Sequence, residues 1–233
     1  MDAENRSKNK YPQVTVIIPT LNEVESLPRV LPKIPPGISE ILIVDGHSQD
    51  NTVKVAKQMC PQARIIYQQG KGKGDALRTG FEHATGEIII TLDADGSMDP
   101  GEITRFIEPL MNGYDFVKGS RFIGGRNTTD MPRHRVLGNR IFVMITNILF
   151  GTRYTDLAYG YNALSKRRVE KLKLSSTGFE IETEMNIKAK KAGLRICEVA
   201  SFESTRLNGK GKLRSFSDGW RILKTILGER LRR

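Results

Sequence analysis

An apolar segment that ends in two carboxylates constrains the fold of this chain more than any other feature. The run Ile88-Ile89-Ile90-Thr91-Leu92 is followed by Asp93 and Asp95. β-Branched residues favour strands, and a run that is apolar on both faces is typical of a central parallel strand with helices above and below. Ligands of open α/β sheets bind beyond the carboxyl ends of such strands, so both aspartates are predicted to lie at a binding site. A turn that merely ends the strand before a helix at Pro100 is the competing interpretation.

The spacing of the two aspartates favours a cation between or beside them. Asp93 and Asp95 lie two residues apart, so in an extended chain their side chains point the same way. Two converging carboxylates repel each other unless a positive charge lies close by. A hard divalent ion with phosphate oxygens on its far side fits this requirement.

The rest of the chain predicts an α/β fold with a Rossmann-like, doubly wound, mostly parallel sheet, because strand and helix patterns alternate. Acids recur at or beyond three of the strand ends: Glu23, Asp45, and the pair Asp93 and Asp95. The predicted strands are 14–18, 40–45, 64–68, 88–92, 114–118 and 194–199. The predicted helices are 22–33, 52–59, 75–84, 100–111, 133–150, 178–192 and 215–233, with Asn22 as the cap of the first.

Length and cysteine content indicate one large domain without a disulfide framework. The chain has 233 residues and two cysteines, Cys60 and Cys197, which have no C-x-x-C spacing and fit a reducing compartment. Residues 1–12 are polar and are predicted to form a disordered tail without a secretory signal.

Positive charge is concentrated in the last third of the chain. The net charge is +11, of which +10 belongs to residues 166–233. Such a surface could meet nucleic acid, anionic lipid or a phosphorylated substrate. The segment 141–150 is apolar but too short to span a bilayer, which needs about 20 residues. Residues 214–233 predict a basic amphipathic helix that packs on the protein core or lies on an anionic membrane.

Six motifs in order, from residue 14 to about residue 213, resemble the family 2 inverting glycosyltransferases of the GT-A fold. The last three resemble its polyprenyl-phosphate hexosyltransferase branch, which includes the dolichyl-phosphate mannose synthases. The motifs are Pro19-Thr20-Leu21-Asn22-Glu23, Val44-Asp45-Gly46-His47-Ser48-Gln49-Asp50, Asp93-Ala94-Asp95, Gly119-Ser120-Arg121-Phe122, Asp156 through Gly160-Tyr161, and Arg206-Leu207-Asn208-Gly209-Lys210-Gly211-Lys212-Leu213.

The resemblance implies a role for each matching residue. Contacts to the nucleotide are implied for Pro19, Leu21, Glu23, Ile43, Asp45, Asp93 and Ala94. Phosphate binding is implied for Arg121, Arg206 and Lys212, and Arg135 matches an arginine that faces the acceptor phosphate. A divalent cation, Mg²⁺ or Mn²⁺, would be held by Asp95, with Ser97 as a weaker ligand. Asp95, Arg121 and Arg135 are therefore the expected catalytic residues.

The resemblance also implies an activity and a location. A hexose would pass from a nucleotide-diphosphate sugar, of the UDP-glucose type or GDP-mannose, to a polyprenyl or dolichyl phosphate. The GT-A domain would span 13–213, with a nucleotide-sugar half at 13–118 and an acceptor half at 119–213. The enzyme would be cytoplasmic and peripheral on the cytoplasmic membrane face, bound to anionic lipid or to a small membrane partner.

Three departures from the family pattern leave the donor open. Gly46 replaces the second of two paired aspartates, so a nucleotide contact is lost or supplied elsewhere. Ser97 stands where the mannose synthases often have Gln. Lys71-Gly72-Lys73-Gly74 is more similar to the glucosyl-transferring relatives than to the mannosyl-transferring ones, which leaves UDP and GDP both possible.

Other functions compete with lipid glycosylation. A soluble alcohol or growing glycan as acceptor would need a general base, for which Glu180 and Glu184 on one helix face, or Glu182, are candidates. A nucleotidyltransferase is less favoured, because its early Gly-rich phosphate loop is missing after the first strand. No nucleic-acid partner is expected, since RNA-binding and helix-turn-helix signatures are lacking.

Overall fold

A computed structural model describes residues 12–207 and 211–232 of the chain. The predicted tail, except for residue 12, and Asn208, Gly209, Lys210 and Arg233 lie outside the described residues. The strands are β1 Val14–Thr20, β2 Glu40–Asp45, β3 Arg64–Tyr67, β4 Ile88–Thr91, β5 Phe116–Ser120, β6 Asn162–Ser165 and β7 Ile196–Ala200. The α-helices are α1 Leu27–Val30, α2 Thr52–Met59, α3 Lys73–His83, α4 Ile103–Met111, α5 Arg133–Phe150, α6 Lys166–Leu172, α7 Ile181–Lys191 and α8 Ser215–Leu231.

The seven strands of the described chain form one sheet in the order β3-β2-β1-β4-β6-β5-β7. β1 to β4 are mutually parallel, β5 and β7 are parallel to each other, and β6 runs antiparallel between β4 and β5. The prediction of a mostly parallel α/β sheet is therefore confirmed. The parallel register brings the carboxyl ends of β1, β2 and β4 to one edge, where the acids of the sequence pattern follow.

Helices cover both faces of the sheet, as the apolar strands require. In β1, Val16 and Ile18 belong to the core on one face, whereas Ile17 belongs to the core on the other. Side chains alternate along a strand, so a strand that is apolar throughout must be packed on both sides. All three side chains are fully buried. The doubly wound arrangement follows directly.

The first helix is shorter than the sequence pattern predicts. The expected helix 22–33 is an α-helix only over Leu27–Val30, followed by a 3-10 helix Leu31–Lys33. Asn22 does not cap it, because its Oδ1 accepts a hydrogen bond from the Gln49 backbone N–H at 2.8 Å. The Asn22 side chain thus joins the loops after β1 and β2, and the helix begins only beyond this connection.

Two elements were not predicted: β6 and α6. β6 is a four-residue strand, Asn162–Ser165, and has too few apolar residues to stand out in the sequence. It lies between β4 and β5 and pairs with both. Its insertion places the segment 156–161 beside the carboxyl end of β4.

The helices α5 and α8 pack on each other and on α7 through a third apolar cluster. Ile187, Ile222 and Ile226 form its buried centre. The C-terminal helix therefore packs on the protein core through one face. None of the helices in the described chain combines the length and hydropathy that crossing a bilayer requires.

Candidate functional site

A cavity of about 1080 Å³ lies at the carboxyl edge of the sheet and extends to α5 and the start of α8. Its walls include most of the residues that the sequence motifs single out. The predicted residues that line it are Pro19, Leu21, Glu23, Asp93, Ala94, Asp95, Ser97, Arg121, Arg135, Arg206 and Lys212. Segments that are far apart in sequence are thus brought together around one space.

Ile43 and Asp45, two of the predicted nucleotide contacts, do not line this cavity. Ile43 is fully buried in the core beside β1. The Asp45 carboxylate is also fully buried and accepts hydrogen bonds from the Ser48 backbone N–H at 2.8 Å and from Ser48 Oγ at 2.6 Å. Asp45 therefore fixes the shape of the loop after β2, and its contact with the nucleotide stays a prediction.

Asp93 is paired with a lysine that comes from the start of α3. Lys73 Nζ lies 2.6 Å from Asp93 Oδ1 and 3.2 Å from Glu182 Oε1. Gly160 makes room for this contact, since a Cβ there would lie 2.5 Å from Lys73 Nζ. Sequence reasoning assigned no role to Lys73, although it lies in the Lys71–Gly74 pattern already noted.

Lys73, Asp93 and Glu182 form a charged triad. Burial and the neighbouring charges together set the pKa values of Lys73 and Glu182. Burial raises the pKa of Glu182, and the nearby Lys73 only partly offsets the effect. Burial alone would lower the pKa of Lys73, but the charges of Asp93 and Glu182 outweigh it and raise the pKa. Lys73 is therefore a permanent cation on the cavity wall, held between two acids.

Asp95 is organised differently from Asp93. Its Oδ1 accepts hydrogen bonds from the Ser97 backbone N–H at 3.0 Å and from Ser97 Oγ at 2.7 Å. Its Oδ2 lies 3.3 Å from a guanidinium nitrogen of Arg206. The Arg206 guanidinium also binds the Asp130 carboxylate. The sequence motif did not reveal Asp130 as the second partner, because the contact joins distant segments.

The donor set at Asp95 fits a divalent ion that is completed by a substrate. Mg²⁺ is commonly held by one or two carboxylates together with substrate phosphates and waters. Asp95 and Ser97 offer a carboxylate and a hydroxyl on the same cavity wall. Within residues 12–207 and 211–232 there is no cluster of three or more His, Cys, Asp and Glu that would form an all-protein metal cage.

Arg121, predicted as a phosphate ligand and catalytic residue, is bound by two protein carboxylates. Its guanidinium is bound at 2.7 Å and 3.0 Å by the two Asp156 oxygens and at 3.0 Å by Glu203. Burial opposes ionisation of Asp156, but the Arg121 charge outweighs it and lowers the pKa of Asp156 to about 2. The residue is only 4% exposed, and three of its five guanidinium N–H groups are bound to protein carboxylates, so its role at a phosphate stays a prediction.

Arg135 lies on the part of the cavity wall that α5 and the start of α8 form. Its guanidinium donates to the Leu213 carbonyl at 2.7 Å and to Ser215 Oγ at 3.1 Å. One turn further along α5, Asn139 lines the same cavity and is 3% exposed. Asn139 Oδ1 accepts from the Leu157 N–H, whereas its Nδ2 has no partner in the described chain.

An unpartnered buried amide donor of this kind is costly unless a ligand satisfies it. The sequence gives only an indirect signal for Asn139, which is its position four residues after Arg135 on one helix.

Lys212 closes one side of the cavity. Its Nζ binds both the Glu23 carboxylate and the Leu21 carbonyl. Lys212 and Glu23, predicted as a phosphate ligand and a nucleotide contact, are therefore paired with each other. Their ion pair joins the loop after β1 to the segment before α8.

Glu180 and Glu184, two of the three candidate bases, have protein partners outside the cavity. Glu184 accepts from Ser175 and Ser176 and pairs with Lys188, and despite burial these contacts lower its pKa. Glu180 pairs with Arg221 of α8 at 2.8 Å. Neither residue lines the cavity, whereas Glu182 does.

Large apolar side chains are exposed on α5 and α8, the two helices that contribute to this part of the cavity wall. We call these residues the α5–α8 apolar surface: Leu137, Ile141, Met144, Ile148, Phe216, Trp220, Leu227 and Leu231. Four come from each helix, at helical spacing. Exposed apolar residues that recur along a helix are typical of an interaction surface.

The fold and the cavity together define an α/β protein with a cavity lined by acidic and basic side chains at the carboxyl edge of its sheet. Comparison with known proteins identifies the family. The model of the family described as Glycosyl transferase family 2 matches residues 15–172. The chain therefore belongs to glycosyl transferase family 2, and the predicted resemblance is confirmed.

Three individual relatives are similar to most of this chain. The chain is 33% identical over 198 residues to the glycosyltransferase AglJ of Haloferax volcanii, covering 84% of this chain and 64% of the relative. It is 32% identical over 211 residues to the dolichol-phosphate mannosyltransferase of Pyrococcus furiosus, covering 87% and 59%. An undecaprenyl-phosphate mannosyltransferase of Micrococcus luteus is 29% identical, with 86% and 87% covered. The chain thus spans about three fifths of the length of the first two relatives.

Solved structures confirm the GT-A-like fold. Glucosyl-3-phosphoglycerate synthase from Mycobacterium tuberculosis, in complex with Mn²⁺, UDP and glucosyl-3-phosphoglycerate, matches with a TM-score of 0.73. The identity is 21%, and the match covers 94% of this chain and 80% of that protein.

Proposed function

We propose that this protein is a metal-dependent inverting glycosyltransferase that moves a hexose from a nucleotide-diphosphate sugar to a polyprenyl phosphate at the membrane surface. The observation that carries the proposal is the composition of the cavity at the carboxyl edge of the sheet. One part presents Asp95 and Ser97, and another presents Arg135 and the unpartnered Asn139 amide beside the α5–α8 apolar surface. The names of the mannosyltransferase relatives support the same acceptor.

The donor side has the chemistry that a nucleotide diphosphate needs. Asp95 and Ser97 would hold Mg²⁺ or Mn²⁺, which as a Lewis acid stabilises the charge that develops on the leaving diphosphate. Arg206 and Lys212 lie on the same wall as cations for the phosphate oxygens. The structural neighbours solved with UDP and Mn²⁺ or Mg²⁺ support this assignment.

The acceptor side has the chemistry that a phosphate monoester needs. An acceptor phosphate oxygen forms the new bond to the anomeric carbon, while the bond from that carbon to the diphosphate breaks on the opposite face. The nucleoside diphosphate leaves with the electron pair, and the anomeric configuration inverts. Such an acceptor is already anionic near neutral pH, so it requires no general base. Arg135 and Asn139 Nδ2 would orient its oxygens.

The lipid chain of such an acceptor must stay close to the membrane. The α5–α8 apolar surface, with exposed Arg140 and Lys224 on the same helices, suits the interface of an anionic bilayer. Peripheral binding at the cytoplasmic face is the location that we propose.

A second candidate acceptor is an alcohol of a soluble glycan, and Glu182 is the observation that favours it. It is the only one of the three predicted bases that lines the cavity, and burial raises its pKa. The ion pair with Lys73 weakens this case, because Glu182 is already engaged.

Transfer of radiolabelled sugar tests the proposal and separates the two acceptors. Membranes or vesicles with polyprenyl phosphate should yield an organic-soluble product that requires a divalent ion. Asn139→Ala and Arg135→Gln should raise the KM for the lipid phosphate about tenfold each, which is the effect of one lost charge-assisted contact. If label stays water-soluble with every polyprenyl phosphate and nucleotide sugar, the proposal fails. Loss of transfer to soluble acceptors in Glu182→Gln would favour the second candidate.

A further inference from the structure

The loop after β2 contains Gly46, and the side chain of Gln68 lies against the position that a Cβ at this glycine would take. A Cβ at Gly46 would lie 3.3 Å from Gln68 Oε1, 3.3 Å from the Thr20 carbonyl oxygen and 3.5 Å from Leu21 Cδ1. Gly46, Gln68 and Leu21 all line the cavity. The Gln68 amide therefore fills the position that a side chain at residue 46 would take.

Gln68 is held rigidly, and its amide orientation is defined. Its backbone N–H donates to the Asp45 carbonyl at 3.1 Å, and its own carbonyl accepts from His47 Nε2 at 2.9 Å. The side-chain Nε2 donates to the Gly70 carbonyl at 3.0 Å, which requires the NH₂ group on that side. Oε1 must then be the atom that faces Gly46.

This oxygen is an acceptor without a donor. Gln68 is 5% exposed, and across residues 12–207 and 211–232 its Oε1 receives no hydrogen bond from the protein. Because Gln68 lines the cavity, a ligand that displaces water from this oxygen must itself supply the N–H or O–H. The site lies at the ends of β2 and β3, apart from the acidic loop after β4 that holds Asp95.

We propose that Gln68 selects the nucleobase of the donor and that the base is uracil, with Oε1 accepting the N3–H. The inference rests on the proposed function, since it names the base of the same nucleotide donor. Uracil presents an N–H flanked by carbonyl groups, which matches an amide that offers one acceptor oxygen and a remaining N–H. Gly46 leaves the space in which this amide meets the base.

The other common bases fit less well. Guanine presents two adjacent donors, N1–H and the 2-amino group, and a carboxylate with two acceptor oxygens suits them best. The two carboxylates of the loop after β2 already accept hydrogen bonds from the protein, Asp45 from Ser48 and Asp50 from Thr52. Cytosine has the size of uracil but carries an acceptor at N3, which would face Oε1 without a hydrogen. Cytidine diphosphate is therefore the sharpest control ligand.

Calorimetric titration of the full chain with UDP, CDP and GDP in Mg²⁺ tests the proposal. The wild type should bind UDP about tenfold more tightly than CDP, as expected for one hydrogen bond to a buried acceptor. Gln68→Leu should bring the UDP-to-CDP affinity ratio close to one, because it removes the acceptor that distinguishes the two bases. Gln58→Leu, at an exposed position of α2 outside the cavity, is the matched control and should keep the wild-type ratio.

Gly46→Ala is a smaller structural change that tests the same proposal if Gln68→Leu fails to fold. Gly46→Ala pushes Oε1 away by a few tenths of an ångström, so the UDP-to-CDP ratio should fall partway toward one. Wild-type protein that binds GDP better than UDP, or a ratio that neither variant changes, would overturn the role of Gln68 while leaving the proposed function intact. Wild-type protein that binds none of the three nucleotides would refute both.

Discussion

The buried triad of Lys73, Asp93 and Glu182 allows a prediction whose size follows from the structure. Lys73→Met removes the cation that lies 2.6 Å from Asp93 and 3.2 Å from Glu182. Glu182 is 3% exposed, so its carboxylate would lose its counter-charge without gaining water. Removing one partner of a buried pair costs about 3–5 kcal/mol. We expect about 3 kcal/mol, because Asp93 is partly exposed and keeps some hydration.

The loss of folding stability caused by Lys73→Met should depend on pH in a defined direction. Burial already raises the pKa of Glu182 in the folded state, and loss of Lys73 raises it further. A group with a raised folded pKa favours folding below its unfolded pKa, and this contribution is lost as pH rises through the folded value. The destabilisation by Lys73→Met should therefore be smaller at pH 5, where Glu182 takes up a proton, than at pH 8.

Urea unfolding of a double-mutant cycle measures this coupling. Glu182→Gln removes the uncompensated charge, so the double variant Lys73→Met/Glu182→Gln should recover about 2 kcal/mol relative to the sum of the single variants. For a domain of this size, 3 kcal/mol corresponds to roughly 6–12 °C in Tm. Additive single effects, or a Lys73→Met cost that is the same at pH 5 and pH 8, would refute the electrostatic reasoning.

The metal site, the α5–α8 apolar surface and the buried arginine network each give a further measurable expectation. Asp95→Asn should abolish metal-dependent turnover, whereas Asp93→Asn should chiefly weaken donor binding; equal Mn²⁺ affinity in wild type and Asp95→Asn would contradict this. Trp220→Ser should lower sedimentation with anionic vesicles about tenfold, and Met111→Ser, exposed on α4, should not. Asp156→Asn should cost about 3 kcal/mol at pH 7. Because the folded pKa of Asp156 is about 2, the difference should shrink as pH falls below about 4 and vanish below 2.

The central part of the fold was predictable because strands that are buried on both faces of the sheet are apolar at nearly every position. β1, β2 and β4 are nearly continuous apolar runs, and their helices follow at regular spacing. β6 has no such apolar run, since its four residues gain their stability from pairing with β4 and β5. Whether a short segment becomes a strand then depends on neighbours that are distant in sequence.

The composition of the site was predictable, but the pairing of its charges was not. Parallel register brings the acids at three strand ends to one edge, so their meeting follows from the fold class. Arg121 shows the limit of this reasoning. Its partners Asp156 and Glu203 lie 35 and 82 residues away in the chain, and no local pattern links them. An arginine in a phosphate-site motif can therefore be a buried structural cation.

The structure explains why the two aspartates of the central loop should differ in function. Asp93 is paired with Lys73, whose side chain is largely buried and whose only carboxylate partners in the described chain are Asp93 and Glu182. Displacing Lys73 from Asp93 would therefore leave a buried cation with one carboxylate fewer. Asp95 is paired with Arg206, whose guanidinium also binds Asp130. A divalent ion that takes Asp95 leaves Arg206 with its second carboxylate. Exchange of cations is thus far less costly at Asp95 than at Asp93, which favours Asp95 for the metal and Asp93 for the donor.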